Sequence, residues 1–426
     1  MSDEDDIAVA GPGDARKSAY ADLDDDRLGF PAGQPFHAWY CHGAHRPDDR
    51  RQASCPGSIG RGCASTSLIR AFVIAALAVL AGPAGAESLR IATYNANLSR
   101  QGPGLLARDL AAGRDPQILA VAQVIAKARP DVLLVTEFDW DAKGTALAAF
   151  QTLLAGVGAE LPFAFAFQPN TGLATGLDLD GDGALNGARD AQGYGRFSGH
   201  RGMAILSRLP INGAEARDFS AMLWRDLPGA AFPSGDLPAA AADILRLSTT
   251  GHWDVPLTLA DGRSLHLLAW SATPPAFQPL QANIARNHDE AGFWTAYLNG
   301  ALPLMAPTSR FVILGDANTD VADGSGNRAA MKALLSDHRL TDPAPKSPGG
   351  AGVALPGKVG DPALDTADWA GNRSVNDNLR VDYVLPSADL TATGAGVIWP
   401  SAEDPFAAIV AAASPHRLVW VDVEIP

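Results

Sequence analysis

Polar side chains recur where apolar runs stop. Asn95 and Asn97 follow LRIATY, Glu137 follows DVLLVT, and Asp316 and Asn318 follow FVILG. In sheets flanked by helices, strand ends are where loops converge on ligands, so these carboxylates and carboxamides could share one cleft. Taken singly, each has an ordinary reading, because an acid after a strand commonly caps a turn or a helix. A second set, DLDGDG, puts Asp178, Asp180 and Asp182 at alternate positions with Gly183 to turn the loop. Oxygen ligands so spaced suit Ca2+, although Arg189 stands where an EF-hand supplies its bidentate glutamate. A structural calcium and a plain acidic turn are both open, and neither is catalytic. His200 and Arg201, in GRFSGHRGMAILSRLPI, precede a buried strand. They are candidate phosphate contacts, the alternative being solvated loop charges.

These side chains need elements to hold them. From Glu87 onward, short apolar strands alternate with helical stretches, which predicts one α/β (α+β) domain over residues 87–426. Strands are expected at Leu89–Tyr94, Val132–Thr136, Phe163–Phe167, Gly202–Ser207, Ser264–Trp270, Phe311–Leu314, Val381–Leu385 and Leu418–Ile425. Helices are expected at Pro116–Ala128, Thr145–Leu154, Asn283–Leu298 and Gly326–Leu335, with surface loops at Gly229–Ala242 and Pro343–Gly360. Phe293, Trp294 and Tyr297 give the third helix an apolar face, so His288 and Glu290 on it are assigned to packing, with no catalytic role for His288.

Arg70 and the run AFVIAALAVLAG lead into Ala84-Gly85-Ala86, the small-residue pattern of signal-peptide cleavage. About 12 apolar residues span roughly 18 Å of helix, short of a bilayer's ~30 Å, so residues 70–86 are expected to direct export to a secreted or periplasmic location and not to anchor the chain. Residues 1–69 then read as a miscalled start or a disordered extension. Cys41, Cys55 and Cys63 all lie in it, so the exported domain is expected to fold without disulfides. Without residues 1–86 and their 11 acidic and 8 basic side chains, 36 acids and 25 bases remain, a net charge of −11. That balance and the lack of a Lys/Arg cluster favour small phosphate esters over duplex DNA.

LRIATYNAN, PDVLLVTEFDW, GMAILSRLPI, RNHDEAGFW, FVILGDANTD, LRVDYVLPS and SPHRLVWVDVEI, in that order, resemble the endonuclease/exonuclease/phosphatase superfamily, which includes secreted nucleases, sphingomyelinases and inositol phosphatases. The resemblance implies a four-layer sandwich of two packed β-sheets flanked by helices, with the site at one end of the sheets. It also implies metal-dependent phosphoester hydrolysis, acting on a small molecule, a lipid headgroup or nucleic acid, and the chain is expected to be a monomer. By it, Glu137 and Asn95 hold Mg2+ or Mn2+, Asp316 orients and deprotonates the attacking water, and Asn318 holds the phosphate. His416 donates to a phosphoryl oxygen, with Asp382 fixing its tautomer. Two positions depart from the pattern: Ser271 stands where relatives carry a histidine, and Pro415 where they carry an aspartate. These motivate a second reading, a non-catalytic calcium-binding or structural descendant of the fold.

Overall fold

The computed structural model describes residues 87–233, 235–369 and 378–426; the predicted extension and export segment, with the three cysteines, lie outside the described residues. The strands are β1 (Glu87–Leu98), β2 (Val132–Phe138), β3 (Phe163–Phe165), β4 (Gly202–Ser207), β5 (Arg217–Asp218), β6 (Gly251–Thr258) and β7 (Ser264–Ser271). They continue with β8 (Phe311–Asp316), β9 (Ala367–Asp368), β10 (Asn378–Leu379), β11 (Asp382–Pro386), β12 (Thr391–Val397) and β13 (Val419–Ile425). The helices are α1 (Leu105–Ala112), α2 (Pro116–Ala128), α3 (Thr145–Gly156), α4 (Ala241–Ile244), α5 (Leu280–Leu298), α6 (Ala329–Leu335), α7 (Pro348–Ala351) and α8 (Phe406–Ala413).

A six-stranded sheet runs β12-β13-β1-β2-β4-β3 and a five-stranded sheet runs β11-β8-β7-β6-β5. Side-chain alternation sorts each strand between two cores. Ile91, Val132, Leu134 and Ile205 of the first sheet meet Val255, Leu267, Val312, Leu314 and Val384 of the second. The intervening Ala92, Tyr94, Leu133, Val135 and Leu206 pack beneath Val121, Ile125, Phe150 and Val410 of α2, α3 and α8. On the far side, Leu268, Trp270, Ile313 and Tyr383 pack against Phe293, Trp294 and Met331 of α5 and α6. The result is the four-layer α/β sandwich. Because its central strands are buried on both faces, they read in the sequence as unbroken apolar runs.

All eight expected strands and four expected helices form, with ends shifted by a few residues. β6 has no expectation because Pro256 and the polar residues of GHWDVPLT break its pattern, yet it is almost wholly buried and pairs with β7 along its length. In β12 two glycines hide the strand; a Cβ at Gly396 would lie 2.8 Å from the Trp420 ring, so the bare backbone makes room for the indole. The expected loops at Gly229–Ala242 and Pro343–Gly360 hold the start of α4 and the one-turn α7.

Helix α5 does more than cover the second sheet. Asn287 donates to the carbonyls of Thr273 (2.7 Å) and Ala317 (2.8 Å) and accepts from the Thr319 hydroxyl, tying together the loops after β7 and β8. Glu290, fully buried, accepts from Thr249 N (2.6 Å), the Thr249 hydroxyl (2.7 Å) and Thr273 N (2.7 Å). Burial lifts its carboxyl from 4.5 to about 7 against the pull of Arg286 and these donors. The folded carboxyl thus holds its proton more tightly than the unfolded one, and the protein loses stability as pH rises from about 4.5 to about 7. Glu290→Gln removes this slope and leaves donors facing an amide, at about 1–3 kcal/mol. Melting curves of both proteins across that pH window should therefore converge towards neutral pH; parallel curves would count against a buried titrating carboxyl.

Candidate active site

The period of two that builds the inter-sheet core also delivers its polar end. On β1 the row Ile91, Thr93, Asn95 faces the second sheet; on β8 the row Val312, Leu314, Asp316 faces back, and on β11 Val384 and Asp382 share that face. Asn95 Nδ2 donates to Asp316 Oδ2 at 3.0 Å, a polar tie between the sheets where the apolar rows stop. Register places Asp382 and Ser271 on either side of Asp316. Gly315 permits this: its φ is +149°, and a Cβ there would stand 1.9 Å from the Trp270 carbonyl oxygen.

Glu137 obeys a different rule. Strict alternation would align it with Leu133 and Val135, towards the helices, but the ladder slips between Thr136 and Phe138 on the β4 side and between Asn95 and Leu98 on the β1 side. Glu137 takes φ +56° in this bulge, and Asn97, Arg201 and Asn318 at neighbouring strand ends are also left-handed. Bulges re-aim side chains, and non-glycine residues held in this region of backbone space concentrate at functional sites.

Asp316, Asp382 and His416 bring ligand atoms within 4.8 Å of one another, all buried. His416 Nδ1 lies 2.9 Å from Asp382 Oδ2, which also accepts the Thr366 hydroxyl at 2.9 Å. The Thr366 oxygen in turn accepts the backbone N–H of Val381 and of Asp382, both at 3.0 Å. Burial pushes the His416 imidazole down, but the charges of Asp382 and Asp316 and the hydrogen bond outweigh it and lift the group to about 9. Burial, then the charge of Asp382, raises the Asp316 carboxyl to about 7, opposed by His416 and by the Asn95 and Asn318 hydrogen bonds. Asn318 N donates to Asp316 Oδ1 at 2.9 Å, while Asn318 Nδ2 is held by the Ala272 carbonyl at 2.9 Å. Among the described residues, no hydrogen bond reaches His416 Nε2.

Glu137 Oε2 accepts from Arg201 Nε at 2.6 Å and from the Ser99 hydroxyl at 2.9 Å; among the described residues no hydrogen bond reaches Oε1. Asn95 Oδ1 receives a long 3.3 Å bond from Asn97 N, and Asn95 pairs with Thr136, next to Glu137. A carboxylate oxygen and a carboxamide oxygen with spare lone pairs fit a hard divalent cation. At Pro415 the backbone carbonyl accepts Asp368 N at 2.8 Å.

The His200–Arg201 pair divides. His200 is buried: burial, then Arg201, lowers its imidazole to about 4, and Nδ1 accepts Arg196 N at 3.3 Å. Its imidazole is therefore neutral near pH 7, unlike the cation expected of a basic pair, while the Arg201 guanidinium lies on Glu137. The acidic loop also differs from expectation, because the carboxylates that converge are Asp178, Asp180 and Asp190, within 4.8 Å of one another. Asp182 instead accepts Ala184 N at 2.7 Å as a turn residue. His288 sits on α5 with Nδ1 on Asp289 at 2.9 Å. Thr366 belongs to no motif, and its hydroxyl is legible only through its contacts. Asp139, in TEFDW, has no motif to mark it; it accepts Arg100 N at 2.7 Å and Arg201 N at 3.0 Å.

Residues 92–416 match the Endonuclease/Exonuclease/phosphatase family, and the chain belongs to it. It is thereby placed among phosphoester hydrolases as a class. Among solved structures it is similar to an endonuclease/exonuclease/phosphatase from Beutenbergia cavernae DSM 12333, at 18% identity and TM-score 0.47, covering 79% of this chain and 72% of that one. A family protein from Leptotrichia buccalis C-1013-b gives 16% identity and TM-score 0.42, covering 79% and 100%. The human Nocturnin catalytic domain with bound sulfate anion gives 15% and 0.40, covering 80% and 95%. No curated protein matches the sequence.

The Asp382–His416 contact is directly testable. In Asp382→Asn the nearest compensating charge is gone and burial regains control, so the His416 imidazole, near 9 in the wild type, should fall by at least about two units. NMR titration of the histidine ring protons reads this out; an unchanged midpoint would show that Asp382 does not hold the proton on His416.

Proposed function

We propose that the protein is an exported, divalent-metal-dependent phosphodiesterase or phosphatase. The observation that carries this reading is the buried convergence of Asp316, Asp382 and His416 beside Asn95. Asp316 is the base: burial and Asp382 raise its proton affinity, while Asn95 and Asn318 hold its two oxygens in place for an attacking water. His416, kept cationic by Asp382, offers Nε2–H to a phosphoryl oxygen and stabilises charge as the leaving oxygen departs. Asn318 has a second amide hydrogen beyond the one given to Ala272, and it can donate this to the phosphate. Glu137 and Asn95 would hold Mg2+ or Mn2+, which supplies Lewis-acid neutralisation of phosphoryl charge.

The acidic balance of the chain favours small phosphate esters or lipid headgroups over duplex nucleic acid. Export rests on the apolar run ahead of Ala84-Gly85-Ala86, and no helix among the described residues is long and apolar enough to cross a membrane. A second reading, a binding protein that keeps the fold without turnover, draws on Ser271 and Pro415, which remove a side chain able to act near neutral pH and a carboxylate.

Purified protein should hydrolyse bis(p-nitrophenyl) phosphate with Mn2+ or Mg2+ and lose that activity in EDTA. Asp316→Ala and His416→Ala should each lower kcat by about 10³-fold or more with little change in KM. Equal rates for wild type and Asp316→Ala would exclude Asp316 as the base, and no turnover over a panel of DNA, RNA, sphingomyelin, inositol phosphates and nucleotides would favour the second reading.

A further inference from the structure

Asp139 lies just beyond the end of β2, where that strand's ladders to β1 and β4 both stop, and it is only 4% exposed. Its carboxylate carries the pairing one step further on each side. Oδ2 accepts Arg100 N at 2.7 Å, two residues past the end of β1, and Oδ1 accepts Arg201 N at 3.0 Å, one residue before β4. One buried side chain thus ties together the segments that flank the Glu137 bulge. Each of the tied segments also carries a donor to Glu137 Oε2. Ser99, next to Arg100, gives its hydroxyl at 2.9 Å, and Arg201 gives Nε at 2.6 Å.

Strict alternation would turn Glu137 towards the helices, so its direction needs more than the ladder to hold it. Glu137 and Arg201 both have left-handed backbone, with φ of +56° and +58°, and such conformations persist where surrounding bonds over-determine them. Resting on the metal-dependent reading above, we propose that Asp139 is a positioning residue for Glu137. By fixing the bulge and both donors to Oε2, it leaves Oε1, which takes no hydrogen bond among the described residues, as the oxygen presented to the cation. Asp139 acts through Ser99 and Arg201 and does not itself bond the metal. A carboxylate is the side chain for this task, because it accepts an N–H on each oxygen; an asparagine would accept one and set its own amide hydrogens against the other.

Calorimetric titration of Mn2+ into the full chain tests this without reference to turnover, with each variant's fold checked by its melting temperature. Asp139→Asn should weaken Mn2+ binding by about tenfold or more. Ser99→Ala, which changes no charge, should weaken it by about threefold. In the Ser99→Ala background the loss caused by Asp139→Asn should shrink to about threefold, because one of the donors that Asp139 places is already gone. Wild-type Mn2+ affinity in Asp139→Asn or in Ser99→Ala overturns the proposal. An Asp139→Asn loss of the same size in both backgrounds also overturns it, since a missing charge or a general loosening would act independently of Ser99. If Asp139→Asn does not fold, Ser99→Ala decides alone. Glu137→Gln separates the proposal from the reading beneath it: if that variant binds Mn2+ as the wild type does, the metal does not sit on Glu137 and both fall; if it loses binding while Asp139→Asn matches the wild type, only the positioning role fails.

Discussion

Two carboxylates buried side by side need a cation, and His416 supplies it. Asp316 and Asp382 are register partners on β8 and β11, each about 1% exposed, in an environment where paired negative charge is costly. The imidazole on Asp382 Oδ2 offsets that cost, and the same pairing holds the imidazole charged. Stability and chemistry are therefore not separable at this spot: whatever removes the ring leaves two acids facing each other across a strand pair. The Asn95 amide and the Thr366 hydroxyl complete the arrangement, each donating to one of the carboxylates.

The fold was legible because the sandwich buries its central strands on both faces, which makes them apolar runs, and because period-two alternation places Asn95, Asp316 and Asp382 on the inter-sheet side. His416 was legible through its motif, SPHR, and not through any pattern of its own. Elements held by features other than apolar pattern stayed hidden. β6 carries Pro256 and polar residues, and β12 pairs with β13 through glycines that leave room for Trp420.

At the site, the invisible parts are those that depend on backbone deviation or on partners distant in sequence. Glu137 was identified as a strand-end acid, but its direction depends on a bulge that no local pattern announces. Asp190 joins Asp178 and Asp180 because the loop folds back on itself, so spacing along the chain pointed to Asp182 instead. His200 looked cationic beside Arg201, yet burial makes it neutral and Arg196 N occupies one of its nitrogens. In each case three-dimensional geometry, not spacing along the chain, decides the environment.

The strand β13 lies between β12 and β1 in the first sheet, and its pairing runs from Glu87↔Ile425 to Thr93↔Val419. The first and last described strands are thus neighbours, and His416 is seated only a few residues before the later one. During synthesis the earlier strands and helices emerge with one inner position of the sheet vacant, so the His416 imidazole arrives as the sheet closes. Contacts of such long range make closure slow, and a nascent chain stalled short of β13 would carry an apolar slot and uncompensated acids, a species suited to chaperone capture.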